Sequence, residues 1–530
     1  MTDDELRGLV DRAAFLHERL EPAWQPIPNP FDSRTVAARL VRWRQVAAGD
    51  APQRFDRRLA WLGLDESSAA RILGAGGYAP GRPLPDWAAF LAQVVDSAAD
   101  ARAAGIVPVF VRAAGVRLAQ TAGETLAWLA PAARRALSAY LRGRLDRLAQ
   151  AALTENDNPS LTARSLAAHC FVYPVLARQL AQHCLNWAAE VADFLGRLAG
   201  DWSALARHLR LPPLLETGVV ADLTPGLSDP HRGGRTVWQV ALANGATFAY
   251  KPKSLATDRV WNELLGWCNE RGLSPWMPHL WTLPRSGYGW TEWADGDGDG
   301  SGDPRQWGMV LGLLHLLHGA DCHRENLVVR NGQPLLIDAE MLRYPQVAGV
   351  EKDDPLDVLR TGLLPRWAGT EAGWAEIGGL RRGESPPRDV AAGFRYIGAF
   401  LRQHWAALTA ANGPLSAFRQ GTVRFAPRPT APPICACWNT CASPPSCGMG
   451  LFSASRWIGW PTAFSPARNG NLCIPCWPRN TRPWFGGMCP TFASPSANPL
   501  FPRARRVVGP RWAGRPFSCP LPRQRRGRPI

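Results

Sequence analysis

Five polar residues crowd one short apolar stretch: Asp321, His323, Asn326, Asp338 and Glu340 in DCHRENLVVRNGQPLLIDAE, residues 321–340. Carboxylates and an amide are hard oxygen donors, the kind that Mg²⁺ takes through one or two carboxylates together with substrate phosphates. Between them, LVV and PLLI are β-rich runs either side of Asn331-Gly332, a pair that tolerates positive φ and suits a two-residue hairpin loop. With that loop, Asn326 falls opposite Ile337 and Glu325 opposite Asp338, so the polar groups gather at the open end of one hairpin. Without a ligand, such a cluster at an apolar hairpin's mouth costs stability.

Phosphoryl transfer is mostly positioning plus charge neutralisation, and its parts are few: a lysine on the nucleotide phosphates, Mg²⁺ ligands, and a group that accepts the hydroxyl proton. Lys251, at the end of TVWQVALANGATFAYKPKSL, suits the first role; Asn326 and Asp338, with Glu340 beside them, suit the second; Asp321 suits the third. His323 is placed to orient the phosphates or the acid. The order D-x-H-x-x-N resembles the catalytic loop of lipid kinases more than the HRD of protein kinases, and Asp338-Ala339-Glu340 stands where kinases put DFG. No GxGxxG occurs over Ser228 to Arg235, which argues against a generic protein kinase.

These side chains need elements to hold them. Residues 1–205 are Ala/Leu/Arg-rich with helical spacing, with Leu137, Leu141, Leu145 and Leu148 on one stripe and Leu176, Leu180, Cys184, Trp187 and Val191 on another. Those stripes, and His169, His183 and His208 among them, read as structural. After residue 210 the pattern changes to short strands: one around Glu216–Ala221, then TPGLSDPHRGGR, then a hairpin at Ala243-Asn244-Gly245 that ends at Lys251. A helix follows in TDRVWNELLGWCNERG, with Thr257 as its expected N-cap and Leu264, Leu265 and Trp267 among its apolar residues. In DGDGDGSGDPRQ, residues 295–306, Asp295, Asp297, Asp299 and Gly300 fit the start of an EF-hand loop, but Gln306 replaces the closing glutamate, which leaves an acidic connector between lobes. WGMVLGLLHLLHGA then aligns Val310, Leu313, Leu314 and Leu317 on a helix that delivers the chain to Asp321. The expected fold is α+β: a helical region over 1–205 and a two-lobed, lipid-kinase-like core over 206–430, with a small antiparallel sheet lobe and a mainly helical lobe.

Composition sets the outer bounds. A chain of 530 residues holds two or three domains. No run of eighteen apolar residues occurs and the acidic start MTDDELRGLVDR lacks a signal-peptide core, so the expectation is a soluble, cytoplasmic protein without a membrane segment. The net charge of +16 is local: residues 421–530 hold fifteen Arg and no Lys, Asp, Glu or His, and the rest carries 45 basic against 44 acidic residues. Only Cys170, Cys184, Cys268 and Cys322 precede the tail, which suits a reducing compartment.

The tail, residues 431–530, is irregular. Twenty Pro lie in the 110 residues after 420, and the arginines have no acidic partners. An RNA-binding tail is one reading. A zinc module on Cys435, Cys437, Cys473 and Cys476 is another, but it lacks a supporting His. A GC-rich gene read out of frame produces the same vocabulary, and disorder is the expectation.

The strings SDPHRGGRTV, FAYKPKSLATD, LLGWCNERG, LHGADCHRENLVV and LLIDAEML make the chain resemble the dehydratase domain of class II lanthipeptide synthetases, the LanM type, over residues 24–430 and most clearly over 226–343. The resemblance implies ATP- and Mg²⁺-dependent phosphorylation of Ser and Thr in a precursor peptide bearing a leader, followed by phosphate elimination. Lys251, Asp321, His323, Asn326 and Asp338 match the family's phosphorylation residues, Asp229 and His231 its DxH, and Glu340 the acid after the metal-binding Asp. Arg424 and Thr430 stand where its elimination pair does, with Arg428 as an assistant; a cation and a donor there stabilise the departing phosphate. The match ends at Thr430, so the expectation is a dehydratase without its zinc-dependent cyclase, and an inactive, shortened chain is an open alternative. Two other classes stay open: a lipid- or small-molecule kinase on a similar core, and a non-catalytic remnant with a basic, nucleic-acid-binding tail, the nucleic-acid role being the less expected.

Overall fold

The Ala/Leu periodicity ahead of residue 210 becomes a succession of helices: α1 (Asp3–Ala13), α2 (Ser33–Ala48), α3 (Gln53–Trp61), α4 (Glu66–Ala75), α5 (Asp86–Ser97), α6 (Ile106–Ala122), α7 (Pro131–Ala152), α8 (Ala163–Val172) and α9 (Pro174–Leu209), with β1 (Trp24–Pro26) and β2 (Gly76–Tyr78) paired antiparallel among them. The computed structural model describes residues 1–15, 18–20, 24–26, 33–48, 53–61, 63–98, 105–152, 163–212, 215–296, 302–344, 357–370, 373–380, 383, 385–418, 423–425 and 492–494. Local chemistry sets the helix ends. Thr2 and Glu5 form a capping box at the start of α1, and α9 opens on Pro174 and closes where Arg210 turns left-handed. The two expected stripes are buried as read. The helical region does not end at 205, however, because α9 runs through that position to Leu209.

Five antiparallel strands follow, β3 (Val220–Thr224), β4 (Trp238–Leu242), β5 (Thr247–Lys251), β6 (Thr282–Arg285) and β7 (Tyr288–Glu292), in the order β3-β4-β5-β7-β6. The β4–β5 turn is the one read from sequence: Gly245 has φ +87°, and Asn244 Oδ1 accepts the Ala246 N–H at 3.1 Å. One sheet face packs on α9. Phe194 of that helix lies 5.0 Å from Trp238 and 5.3 Å from Tyr250 between ring centres, and Tyr250 lies 5.0 Å from Trp290. Such pairs add about 0.5–1.5 kcal/mol each beyond their buried area. Buried Asp201 of α9 is satisfied from the same sheet, accepting from Arg285 Nε at 2.6 Å, Tyr288 OH at 2.9 Å and Trp290 Nε1 at 2.8 Å. Helices α1 and α5–α9 therefore share one core with the sheet, while α2, α3 and α4 bury a small cluster of their own around Trp43 and Phe55.

A second core gathers α10 (Ala256–Glu270), α11 (Pro304–Leu316), the hairpin β8 (Leu327–Arg330) and β9 (Gln333–Leu336), α12 (Pro387–Gln403) and α13 (Trp405–Thr409), with α14 (Pro414–Ala417) packed against it. Two further pairs are β10 (Arg366–Thr370) with β11 (Gly373–Ile377), and β12 (Val423–Phe425) with β13 (Phe492–Ser494). Within the expected irregular tail only β13 is among the described residues. The α10 cap differs from expectation: Leu255 precedes the helix and Thr257 sits inside its first turn, because Ser254 Oγ already accepts the Ala256 N–H at 3.4 Å. Asp303 caps α11 through the Arg305 N–H at 2.9 Å, with Pro304 in the first turn. Val310, Leu313, Leu314 and Leu317 are buried as read.

His183 is buried beside Arg144, Nδ1 to Nη2 3.2 Å, whereas His208 is exposed and stacks flat on Trp281 with ring centres 5.3 Å apart. Cys170, Cys184, Cys268 and Cys322 are buried free thiols. Among the described residues no helix is long and apolar enough to cross a membrane.

Candidate functional site

Asn331 and Gly332 have φ +53° and +70°, as a two-residue hairpin loop of the I′ kind requires. Arg330 pairs with Gln333 and Leu327 with Leu336, and the Ile337 N–H donates to the Asn326 carbonyl at 2.9 Å, so Asn326 and Ile337 face each other as the register predicts. Residues 324–326 make one tight helical turn capped by His323, whose Nδ1 accepts the Glu325 N–H at 3.3 Å. The proton therefore sits on Nε2, 3.4 Å from Asp321 Oδ1. That hydrogen bond pushes the pKa of His323 upward, with burial opposing it.

Asp321 itself is left-handed, φ +61°, a conformation that Asp tolerates better than most residues. Its neighbours hold it there: Ala320 N–H donates to Met341 at 3.1 Å, Cys322 N–H donates to Thr361 at 2.9 Å, and the Asp321 carbonyl accepts Asn326 Nδ2 at 2.8 Å. The carboxylate stays 51% exposed to solvent.

The sheet meets this hairpin through two lysines. Lys251 Nζ, at the end of β5, lies 3.4 Å from Asp258 Oδ1 in the first turn of α10 and donates to the Ile337 carbonyl. Lys253 Nζ lies 2.5 Å from Asp338 Oδ2 and 3.1 Å from Glu340 Oε2. Sequence reasoning chose Lys251 and missed Lys253 and Asp258. One signal was available in composition: Lys251, Lys253 and Lys352 are the chain's only lysines. Extended backbone also puts residues two apart on one face. Nothing local marked Asp258.

Charge is finely balanced here. Burial alone raises the Asp338 pKa, but Lys253 and Lys251 hold it down at about 2. Burial works against the Lys253 ammonium, yet Asp338, Glu340 and Asp258 keep its pKa above the ordinary lysine value. For Asp258 burial dominates and raises the pKa, with Lys251 opposing. Asp258, Asp338 and Glu340 together outnumber the two ammonium groups. Among the described residues no three His, Cys, Asp or Glu side chains form a metal cluster by themselves. Asp338 and Glu340 nonetheless converge on one cation, which fits a Mg²⁺ ion that completes its shell with water and phosphate.

The other candidates lie elsewhere. Asp229 is exposed and His231 half-buried in a tight loop closed by a His231–Arg235 bridge, with Arg232, Gly233 and Gly234 at φ +39°, +95° and +94°. Helices α7 and α9 clamp this loop: Arg144 Nη1 donates to Gly234 at 3.0 Å, Arg235 pairs with Asp193, and Glu190 Oε1 accepts the Thr236 N–H at 3.0 Å. Arg424 is the middle residue of β12, opposite Ala493. Arg428 and Thr430 lie outside the described residues, as do Asp297, Asp299 and Gly300 of the connector and Cys435, Cys437, Cys473 and Cys476 of the tail. Asp295 accepts Trp293 Nε1 at 2.6 Å.

No curated protein matches this sequence. Residues 173–389 match a family described as a domain of unknown function, DUF4135, a span that runs from the start of α9 into α12 and contains both lysines and the hairpin.

Proposed function

We propose that this chain phosphorylates Ser and Thr of a precursor peptide with ATP and then eliminates the phosphate, forming dehydroalanine and dehydrobutyrine in lanthipeptide biosynthesis, on a two-lobed, lipid-kinase-like core of the LanM type. One observation carries the reading: Lys251 at the end of β5 and Lys253 just beyond it clasp residues 337–340, setting two cations against the segment that follows the hairpin whose approach bears Asp321, His323 and Asn326. The DUF4135 match supports it, since that domain is associated with lanthipeptide synthetase-like proteins.

In the phosphoryl step Lys251 holds the nucleotide phosphates. Asp321 takes the hydroxyl proton as the Ser oxygen bonds to the γ-phosphorus and the bond to ADP breaks. His323, through Nε2, keeps the Asp321 carboxylate aimed. Mg²⁺ held by Asp338, with Asn326 and Glu340, supplies charge neutralisation on the phosphate oxygens when bound. Elimination then passes the Cα proton to a base, forms the Cα=Cβ double bond and breaks the Cβ–O bond, whose electrons leave with inorganic phosphate; Arg424 and Thr430, with Arg428, stabilise the charge that the leaving group gains, and Asp229 and His231 support turnover.

A kinase without the second half-reaction, acting on a lipid or small molecule, rests on the same clasp, because each of its residues serves phosphoryl transfer. Mass spectrometry of a Ser/Thr/Cys-rich precursor peptide, incubated with the full chain, ATP and Mg²⁺, separates the readings. Loss of about 18 Da per modified residue is the expected result, and a gain of about 80 Da without loss means peptide phosphorylation without elimination. Unchanged peptide rejects the dehydratase, and unchanged peptide with ATP consumed on a lipid or small-molecule acceptor selects the plain kinase.

A further inference from the structure

We infer that Lys253 is a built-in counter-cation for Asp338 and Glu340, which a divalent ion must displace, and that displacement frees its ammonium for the nucleotide phosphates. The inference deepens the phosphoryl-transfer reading and rests on it for the identity of the incoming ligands.

Lys253 and Lys251 are not equivalent. Lys251 belongs to β5, where it pairs with Gly289 of β7, and its side chain is 8% exposed between Asp258 and the Ile337 carbonyl. Its anchors are the Asp258 carboxylate and a backbone carbonyl, not Asp338 and Glu340. Lys253 lies beyond the strand, past Pro252, with its side chain 22% exposed and its Nζ on the two carboxylates assigned to the metal. A Mg²⁺ ion holds oxygen at about 2.0–2.1 Å. An ammonium 2.5 Å from Asp338 Oδ2 occupies the space and the lone pair that such an ion needs. One of the two cations must leave, and the lysine has a flexible four-carbon stem on which to do so.

Residue choice agrees. Of 60 basic residues, three are Lys and the rest are Arg, and two of those three are Lys251 and Lys253. An arginine fork grips a carboxylate through two parallel hydrogen bonds, whereas an ammonium is a compact, readily hydrated point charge that exchanges partners. The move also keeps charge in balance. The divalent ion takes over Asp338 and Glu340, and the released Lys253 meets phosphate oxygens that arrive with the nucleotide. Metal and nucleotide binding are then coupled: the ion alone binds against a competitor, and the nucleotide rewards its displacement.

The test uses the full chain and Mn²⁺ alone as the probe, with bound ion counted by electron paramagnetic resonance. Lys253→Met should bind Mn²⁺ more tightly than the wild type by about tenfold or more, the size of one charge-assisted hydrogen bond no longer competing. In the presence of Mn²⁺, its affinity for ADP should fall. Lys253→Arg keeps a competing cation and should bind Mn²⁺ no more tightly than the wild type. Effects of opposite sign on metal and nucleotide are what a merely structural lysine does not produce. Unchanged or weaker Mn²⁺ binding by Lys253→Met overturns the inference. Because that variant leaves two carboxylates facing each other, its melting temperature should fall without metal and recover with Mn²⁺; a fall that Mn²⁺ does not reverse also overturns it. Should Lys253→Met not fold, reductive ¹³C-methylation of the wild-type chain decides, with diamagnetic Mg²⁺ as the ion: the Lys253 signal should move on adding Mg²⁺, and a stationary Lys253 signal rejects the displacement. Tighter Mn²⁺ binding together with unmodified peptide would sink the dehydratase and leave this inference standing; dehydration with unchanged Mn²⁺ binding would do the reverse.

Discussion

Gly308 of α11 is where one methyl group should do the most damage to the scaffold behind the site. A Cβ built there would sit 1.9 Å from the Val390 carbonyl oxygen and 2.8 Å from the Phe394 nitrogen, and one at Gly393 would sit 1.9 Å from the Arg305 carbonyl oxygen. Both obstacles are backbone of the facing helix, so no rotamer change relieves them. Carbon prefers non-bonded neighbours at about 3.5–4.0 Å, so Gly308→Ala forces α11 and α12 apart by on the order of 1 Å. Overpacking of that kind costs about 1–3 kcal/mol or more, offset by the ~0.8–1 kcal/mol that alanine gains over glycine in a helix. We expect a net loss of about 2 kcal/mol, read as a lower urea midpoint at unchanged slope. Gly312→Ala should cost less, since its nearest obstacle is a side-chain methyl, the Ile397 Cγ2 at 2.4 Å, and the nearest backbone atom is the Phe394 carbonyl oxygen at 3.6 Å. Gly196→Ala in α9 meets nothing within 4 Å and is the control, stabilising by roughly 0.5–1 kcal/mol. The pair Gly308→Ala and Gly393→Ala should be sub-additive, because helices already parted by one methyl accept the second more easily. Because α11 feeds the chain toward Asp321, the proposed peptide phosphorylation should fall with stability. A Gly308→Ala protein as stable as the wild type, or one that ranks with Gly196→Ala, would refute the close-contact argument.

Other expectations concern charge. Lys251→Met leaves buried Asp258 without its cation and should destabilise by about 3–5 kcal/mol, much of it recovered in the Lys251→Met/Asp258→Asn double variant, as thermal melting would show. Glu190 is 1% exposed, and burial raises its pKa to about 7, against the pull of the Thr236 N–H and of Arg144 and Arg235. A folded-state value above the unfolded one means that stability is fully present below about 4.5 and declines as pH rises to about 7, by up to ~1.4 kcal/mol per unit. Glu190→Gln should flatten that slope in denaturation curves from pH 4 to 8 and exceed the wild type at pH 8. Asp338 has the opposite sign: held down at about 2, it contributes stability above about 4 that is lost as pH falls toward 2, roughly 2 kcal/mol in all. Asp338→Asn should remove that acid limb. Arg424→Ala should leave phosphorylation intact and let phosphopeptide accumulate, visible as about +80 Da per site.

Much of this protein is legible residue by residue because the deciding forces are local. Asn331-Gly332 dictates its hairpin since few other pairs accept two positive φ angles, and in the β4–β5 turn Gly245 alone supplies the positive φ. Apolar residues at helical spacing mark which faces of α7, α9 and α11 are buried. The first hairpin, in turn, places Asn326 opposite Ile337 with no help from the rest of the chain.

The tertiary structure decided what lies across long separations. Lys253 meets Asp338 from 85 residues away, a pairing that depends on how the sheet sits on the second core, and no spacing rule encodes it. Asp258 meets Lys251 from the first turn of α10, which starts two residues earlier than Thr257 promised. The SDPHRGGR loop was drawn onto α7 and α9 by Arg144 and Asp193, residues with no local signal of that role. Gly308 and Gly393 lie inside helices, where glycine is locally unfavourable, and only the facing backbone shows why nothing larger fits. Turn angles and helical periods are properties of a few adjacent residues, whereas counter-ions and close contacts are chosen by packing, after distant segments have been brought together.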